Sequence, residues 1–265
     1  MKILVIHGSM RKGNTYAVTQ KIISRLLNKP DVECAEISVA DLNLPFCSSC
    51  HLCMTKGEEY CPHYHITGGV QSALMNCDGV IVSGVSYIRS LNAAMKNLLD
   101  HLAYGYHRPA LFGKKGMAVV TSAGVGERSV AKYLKRVLGQ WGVNGAIIVT
   151  RNDKEKRLQS IDKEIEILNR FADRFYHQII SNKPIPPSLK CIVMHNAFRA
   201  MSLGEFAESE RDTQFWLQNS YKNRAYPVRA GLLKYAAGAI MYGIVGYSAK
   251  MIGKMYAKRL NKLTR

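Results

Sequence analysis

Lys2-Ile3-Leu4-Val5-Ile6-His7-Gly8-Ser9-Met10-Arg11-Lys12-Gly13-Asn14-Thr15 is the stretch on which the fold turns. Residues 2–7 read as a strand buried on both faces, with an unbroken apolar run from Ile3 to Ile6. Small, polar and basic residues follow. Val18, Ile22, Ile23, Leu26 and Leu27 then recur at helical spacing across residues 14–28, and Asn14 or Thr15 can cap that helix. A strand that breaks into hydroxyls and glycines at a helix N-terminus makes an anion site, and Arg11 adds positive charge to it. The spacing is neither a Walker loop nor a GxGxxG fingerprint.

Working outward, the same rhythm repeats. Val32 to Val39 alternates as a second strand, and a cysteine-bearing loop fills roughly 43–65. A helix around 67–76 leads to a third buried strand, Asp78–Ser83, and residues 92–103 read as a helix. A fourth strand at Gly116–Thr121, a helix at about 128–140, a fifth strand at Gly145–Thr150 and a long helix at about 153–181 complete the series. Strands alternating with helices predict a doubly wound α/β fold with a five-stranded parallel sheet. Pro184-Ile185-Pro186-Pro187 ends the rhythm. It divides the chain into an expected core domain, 1–183, and a basic helical extension, 184–265.

In such a sheet, ligands bind at the carboxyl ends of the strands. Two further strand ends reach the rim of the first loop: Val85-Ser86-Tyr87-Ile88 after strand three, and Ser122-Ala123-Gly124 after strand four. Tyr87 suits the face of a planar ring, and the small residues suit its polar edge.

The chain has 265 residues, is 47% apolar and carries a net charge of +18. That composition excludes a disordered chain. The charge favours phosphates, anionic surfaces or acidic partners. From Lys183 onward there are 14 Lys and Arg against 4 Asp and Glu, so the basic part is C-terminal. No nucleic-acid reader motif accompanies the charge. Met1 leads almost directly into a strand with no leader, so the expected compartment is the reducing cytosol.

Three cysteines spaced by two residues, Cys47, Cys50 and Cys53, precede Cys61-Pro62. Four soft ligands at this spacing suit a [4Fe–4S] cluster. Zinc is the alternative, with His51, His63 or His65 replacing a sulfur, and free redox thiols are a third reading. Cys34, Cys77 and Cys191 are scattered, as small core residues are. His7, Asp100 and His101 read as structural. The absence of acid–base machinery fits a protein whose cofactor carries the chemistry.

The first loop, the Cys47–Cys61 run and the spacing Tyr87…Lys96…Asp100 together resemble the flavodoxin-like NADPH-dependent FMN reductases and their relatives, the iron–sulfur flavoproteins. The resemblance covers about residues 1–180. It implies that Ser9, Arg11, Asn14 and Thr15 take the FMN phosphate. It implies that Val85, Ser86, Tyr87, Ile88, Ser122, Ala123 and Gly124 line the flavin. It implies NAD(P)H as electron donor, a small-molecule or protein electron acceptor such as a quinone, and a homo-oligomer. A non-enzymatic electron carrier and a zinc-stabilised module without flavin are the rival readings. The chain departs from the family at Val85 and Met10, where proline is usual, and at Pro62-His63-Tyr64-His65, where acidic residues are common.

Residues 229–262 read as one long helix or two. Tyr235–Ala249 is a charge-free run of fifteen residues, short for a membrane span. Lys250, Lys254, Lys258 and Lys262 then recur every four residues on one face. A helix of this kind folds back on its own domain, packs on a second subunit, or makes a peripheral membrane contact.

Overall fold

The computed structural model describes residues 1–156, 160–204, 207, 209–219 and 230–263. In chain order the elements are β1 (Lys2–His7), α1 (Asn14–Leu27), β2 (Glu33–Ser38), α2 (Leu52–Thr55), α3 (Tyr64–Asn76), β3 (Gly79–Tyr87), β4 (Ser90–Leu91), α4 (Ala93–His101), β5 (Lys115–Ser122), α5 (Glu127–Gln140), β6 (Ile147–Asn152), α6 (Asp153–Lys156), α7 (Ile161–Ile180), α8 (Leu189–Leu203), α9 (Glu210–Gln218) and α10 (Leu232–Leu263). The parallel strands lie in the order β2-β1-β3-β5-β6, and β4 pairs antiparallel with the end of β3.

Alternation along the strands builds two cores. Leu4, Ile6, Val80, Val82, Ala118 and Val120 face α3, α4 and α5, while Ile3, Val5, Ile81, Met117 and Val119 face α1 and α7. Each fully buried Ile or Val stabilises the fold by about 1.5–3 kcal/mol. Helix α1 turns Val18, Ile22, Ile23 and Leu26 inward. Its last-turn Arg25 pairs with Asp173 on α7 at 3.0 Å, tying the two helices of that layer together.

Four boundaries differ from the periodicity. Helix α3 starts at Tyr64, inside the expected cysteine loop. Strand β3 runs on to Tyr87 because Val85 pairs with Thr121 and Ser86–Tyr87 find a partner in β4, so the expected flavin-facing loop is a strand end and a tight hairpin. Strand β6 lies two residues later than predicted, because Gly145 turns the chain at φ +68°. The long helix at 153–181 is two helices. The second begins at Ser160, whose side chain accepts the Lys163 N–H as an N-cap, and residues 157–159 fall outside those described.

Beyond Pro184, α8 and α9 start at serine caps, Ser188 and Ser209. Helix α10 is single and packs along α8, where Gly238 lies against Ile192 and Asn196. Its other side leaves Leu233, Ile240, Ile244, Tyr247, Met251 and Met255 exposed. The predicted lysine face continues into Lys258 and Lys262, whose side chains lie outside the described residues, as do Phe206 and Tyr221. Among the described residues, no helix is long and apolar enough to cross a membrane.

Helix α8 is anchored to the core by His195, which is fully buried and whose Nε2–H donates to the Gln140 carbonyl at 2.7 Å. Burial pushes its pKa from 6.5 down to about 4, against a smaller upward pull from that bond. The unfolded chain therefore takes up this proton first as pH falls. The contribution of His195 is full above about pH 6.5 and is lost towards pH 4, by about 3 kcal/mol in all. Denaturant unfolding across that range should show the loss, and His195→Gln, which keeps an N–H donor, should flatten it.

Candidate functional site

The first, third and fifth strands end beside one another, where the order of the sheet reverses. The backbones touch there: Gly8 N–H donates to Ser83 O at 3.0 Å, and a Cβ on Gly8 would sit 2.4 Å from that oxygen. Only glycine permits the approach. Asn92, which precedes α4 and is 3% exposed, locks the junction. Its Nδ2 donates to Gly8 O at 2.6 Å, its Oδ1 accepts from Val85 N–H at 3.4 Å, and its own N–H reaches Val85 O.

The first loop folds on itself. The Ser9 hydroxyl donates to the Arg11 carbonyl at 2.8 Å, and Gly13 N–H returns to the same oxygen at 2.9 Å. No side chain among the described residues caps α1, so its first N–H groups point into the crevice. Arg11 and Asn14 are exposed there, and Asn14 Nδ2 also donates to Asp153 at 2.8 Å. Thr15 is placed differently from its three companions. It is buried, and its hydroxyl meets Thr121 Oγ1 at 2.7 Å, so it offers the crevice its backbone rather than its side chain.

The hairpin between β3 and β4 and the loop after β5 form the other walls. Ser86 Oγ donates to Val125 O at 3.2 Å, and Gly126 fits beside it only without a Cβ. Tyr87 is 57% and Ile88 fully exposed at the hairpin tip. Ile88 and Arg89 carry φ of 47° and 60°, the φ signs of a type I′ turn normally made by Asn-Gly. A β-branched residue there costs about 1–2 kcal/mol. Ser122 is buried on Glu127 at 2.6 Å, Ala123 is exposed, and Gly124 O accepts from Asn152 Nδ2 at 2.5 Å. The structure places the eleven residues expected around the cofactor on the segments at the ends of β1, β3 and β5, three adjacent strands. It adds Asn92, Thr121 and Asn152, whose signal in the sequence was no more than a polar residue beside a strand end. Met10, Tyr87, Ile88 and Val125 give the rim a large exposed apolar surface.

The cysteine run lies along α4. Cys47 N–H donates to Asn97 Oδ1 at 3.0 Å, while Asn97 Nδ2 holds the carbonyls of Leu44 and Pro45. Arg108 donates to Cys53 O at 2.7 Å and to Met54 O at 3.3 Å. Arg108 is itself buried between Glu58 and Asp212, and Asp212 also takes His107 at 2.8 Å. Cys47, Cys53 and Cys61 are half-buried and Cys50 is exposed. Burial first, then the charges of Cys61 and Cys47, push the Cys53 thiol up to about 11, against a downward pull from Arg108.

A second donor set overlaps this one. The ligand atoms of Cys61, His63 and His101 lie within 4.8 Å of one another. His101 Nδ1 lies 3.0 Å from the Asn97 carbonyl, which can only accept, so Nδ1 carries the proton and Nε2 holds a lone pair. That lone pair faces His63 Nδ1 at 3.1 Å. His101, expected from the sequence to be structural, is brought to Cys61 only by the fold. His51 caps α2. His7 pairs with Glu36 at 2.6 Å and Asp100 with Lys96, so both serve structure.

Comparison with known proteins follows this geometry. An iron–sulfur flavoprotein of Archaeoglobus fulgidus is 34% identical over 146 residues, which is 54% of this chain and 64% of that relative. The chain spans less than two thirds of the length of the curated relatives it matches. An apo-form NADH:FMN oxidoreductase has a similar fold, with TM-score 0.51 and 22% identity over 70% of this chain and 91% of that one. An azoreductase from Bacillus anthracis gives TM-score 0.55 and 17% identity over 66% of this chain and all of that one. The model of the NADPH-dependent FMN reductases matches residues 1–152, more than half of the sequence, and the chain belongs to that family.

Proposed function

We propose that this protein is a flavin-dependent oxidoreductase that binds FMN in the strand-end crevice and passes electrons from NAD(P)H to a small acceptor such as a quinone, or to a protein carrier. The observation that carries this reading is the closure of three strand-end loops around one crevice, with an uncapped helix start on one side and an exposed apolar rim on the other. Arg11, Ser9, Asn14 and the N–H groups of Asn14 and Thr15 bind the phosphate. Tyr87, Ile88 and Val125 cover the faces of the flavin ring, and the backbone of Val85–Ser86 and Ser122–Gly124 meets its polar edge. When bound, FMN supplies hydride and one-electron chemistry. The chain's own residues orient it and exclude water.

The thiols of Cys47, Cys50, Cys53 and Cys61 fit a [4Fe–4S] cluster, which would supply one-electron transfer. Asn97 and Arg108 hold the backbone that carries those ligands. The overlapping Cys61–His63–His101 set favours zinc as a second reading, because a carbonyl-anchored imidazole beside a thiolate suits that ion.

Anaerobically purified protein should show flavin absorption bands, and the same sample should be assayed for iron and zinc. On the cluster reading, iron approaches about four atoms per chain, Cys50→Ser loses it, and His101→Ala keeps it. On the zinc reading, His101→Ala loses the metal and Cys50→Ser keeps it. Protein that takes up no flavin even with added FMN would sink the central claim. Arg11→Ala should weaken FMN binding by about 2 kcal/mol through loss of a charged hydrogen bond. Asn92→Ala should lower folding stability by about 1–3 kcal/mol by leaving the Gly8 carbonyl unpaired, and should loosen FMN as well. Titration of the apoprotein with FMN, followed by flavin fluorescence, measures both affinities.

A further inference from the structure

Among the described residues, nothing covers the outer face of α10. Its inner side packs on α8. Gly238 lies against Ile192 and Asn196, and the Arg199 guanidinium sits 4.8 Å from the centre of the Tyr242 ring. Lys234 Nζ donates to the Pro187 carbonyl at 2.9 Å. These contacts fix which side faces outward. There Leu233, Ile240, Ile244, Tyr247, Met251 and Met255 follow one another at intervals of three, four or seven residues, so they form one line along the helix. All six are exposed, Leu233 by 88% and Met255 by 68%. The line runs about 33 Å at 1.5 Å per residue. A continuous apolar strip of that length marks an interaction site, which scattered single residues do not.

Charge identifies what covers it. No charged residue stands between Lys234 and Lys250, and Lys250 and Lys254 are exposed in the turns that carry Met251 and Met255. From Thr213 to Arg265 the chain has ten Lys and Arg and no Asp or Glu. A second copy would bring the same unopposed charge, on a chain already at +18. A nucleic acid would meet the lysines with its phosphates but leave the apolar line in water. A membrane crossing does not fit either. Among the described residues no helix is long and apolar enough to span, and one side of α10 is already taken by α8. The surface that matches both features is the anionic face of a bilayer. It takes apolar side chains at the boundary of headgroups and acyl chains, and it holds lysines at the phosphates. Tyr247 suits that boundary with an apolar ring and a polar hydroxyl. Lysine stems lie along apolar surface while their ammonium groups stay at the phosphates.

We propose that the outer face of α10 docks on an anionic lipid surface. The helix lies in the plane of that surface, with the line from Leu233 to Met255 immersed and Lys250 and Lys254 paired with lipid phosphates. The flavin reading uses no part of this face, so the proposal does not rest on it.

The test is co-sedimentation of the full-length protein with vesicles of phosphatidylglycerol and phosphatidylcholine in equal parts, against vesicles of phosphatidylcholine alone. The mixed vesicles should bind it saturably and the neutral ones at least about tenfold more weakly. Lys250→Gln with Lys254→Gln should weaken binding about twenty- to thirtyfold, since each lysine near an anionic surface is worth about fivefold. Ile240→Ser with Ile244→Ser should weaken it about tenfold, which a purely electrostatic contact would not do. All four positions are exposed, so the circular dichroism of both variants should match the wild type. Tyr247→Trp places a reporter on the line, whose emission should shift to the blue on the mixed vesicles and be quenched by brominated acyl chains. Absence of vesicle binding by folded wild-type protein would overturn the proposal. Equal binding to neutral vesicles, unchanged binding in the isoleucine variant, or an unshifted Tyr247→Trp emission would overturn it too. A dimer at sedimentation equilibrium that is lost in the isoleucine variant, with no vesicle binding, would assign the face to a second copy instead.

Discussion

The structure depends on one close backbone approach. Gly8 N–H reaches the Ser83 carbonyl where β1 and β3 part company, and no side chain larger than hydrogen fits between them. Parallel strands joined by right-handed crossovers must send successive helices to opposite sides of the sheet on either side of this point. The chain turns to β2 in one direction and to β5 and β6 in the other, so a crevice is left above the Gly8–Ser83 contact. Everything placed there follows from the geometry of that parting: the start of α1, the hairpin, and the fifth-strand loop. Asn92 converts the parting into a fixed distance by bonding both sides of it.

The C-terminal segment is built into the other end of the molecule through charge. Arg108 is 5% and Asp212 is 3% exposed, and each would be strongly unfavourable without the other. Asp212 lies on α9, while Arg108 spends its remaining donors on the carbonyls of Cys53 and Met54 and on Glu58. The Ser209 hydroxyl adds a second bond to Met54 O at 2.5 Å. The cysteine segment is thus gripped from the core by Asn97 and from the C-terminal region by Arg108 and Ser209. Its backbone is ordered by protein groups alone, which reduces the ordering that ligand binding must supply.

What was legible in the sequence was local. Apolar runs such as Ile3–Ile6 and the spacing of Val18, Ile22, Ile23 and Leu26 depend on neighbours a few residues away, and the parallel sheet followed from their alternation. The hairpin was not legible, because Ile88-Arg89 carries none of the Asn or Gly that marks a turn with positive φ. The Thr15 hydroxyl went astray for a different reason. Its partner, Thr121, is 106 residues away, and only the sheet brings them together. The same holds for Arg108 and Asp212, separated by 104 residues, and for His101 beside Cys61. Residue types in these pairs are ordinary; their meaning comes from long-range placement that no spacing rule records.

Helix α4 joins the two halves of this arrangement. Asn92, immediately before it, fixes the first and third strand ends. Asn97, midway, holds the cysteine segment through its side chain and the His101 tautomer through its carbonyl. His101, its last residue, faces His63 and Cys61. Nine helical residues span about 13 Å at 1.5 Å each. Met95 and Leu98 are fully buried beneath the helix, so it has little freedom to slide. The crevice and the thiol cluster are consequently held at a set separation by a single rigid element. A shift of that helix would disturb Gly8, Cys47 and His101 together, so the geometry of the two sites is mechanically one problem rather than two.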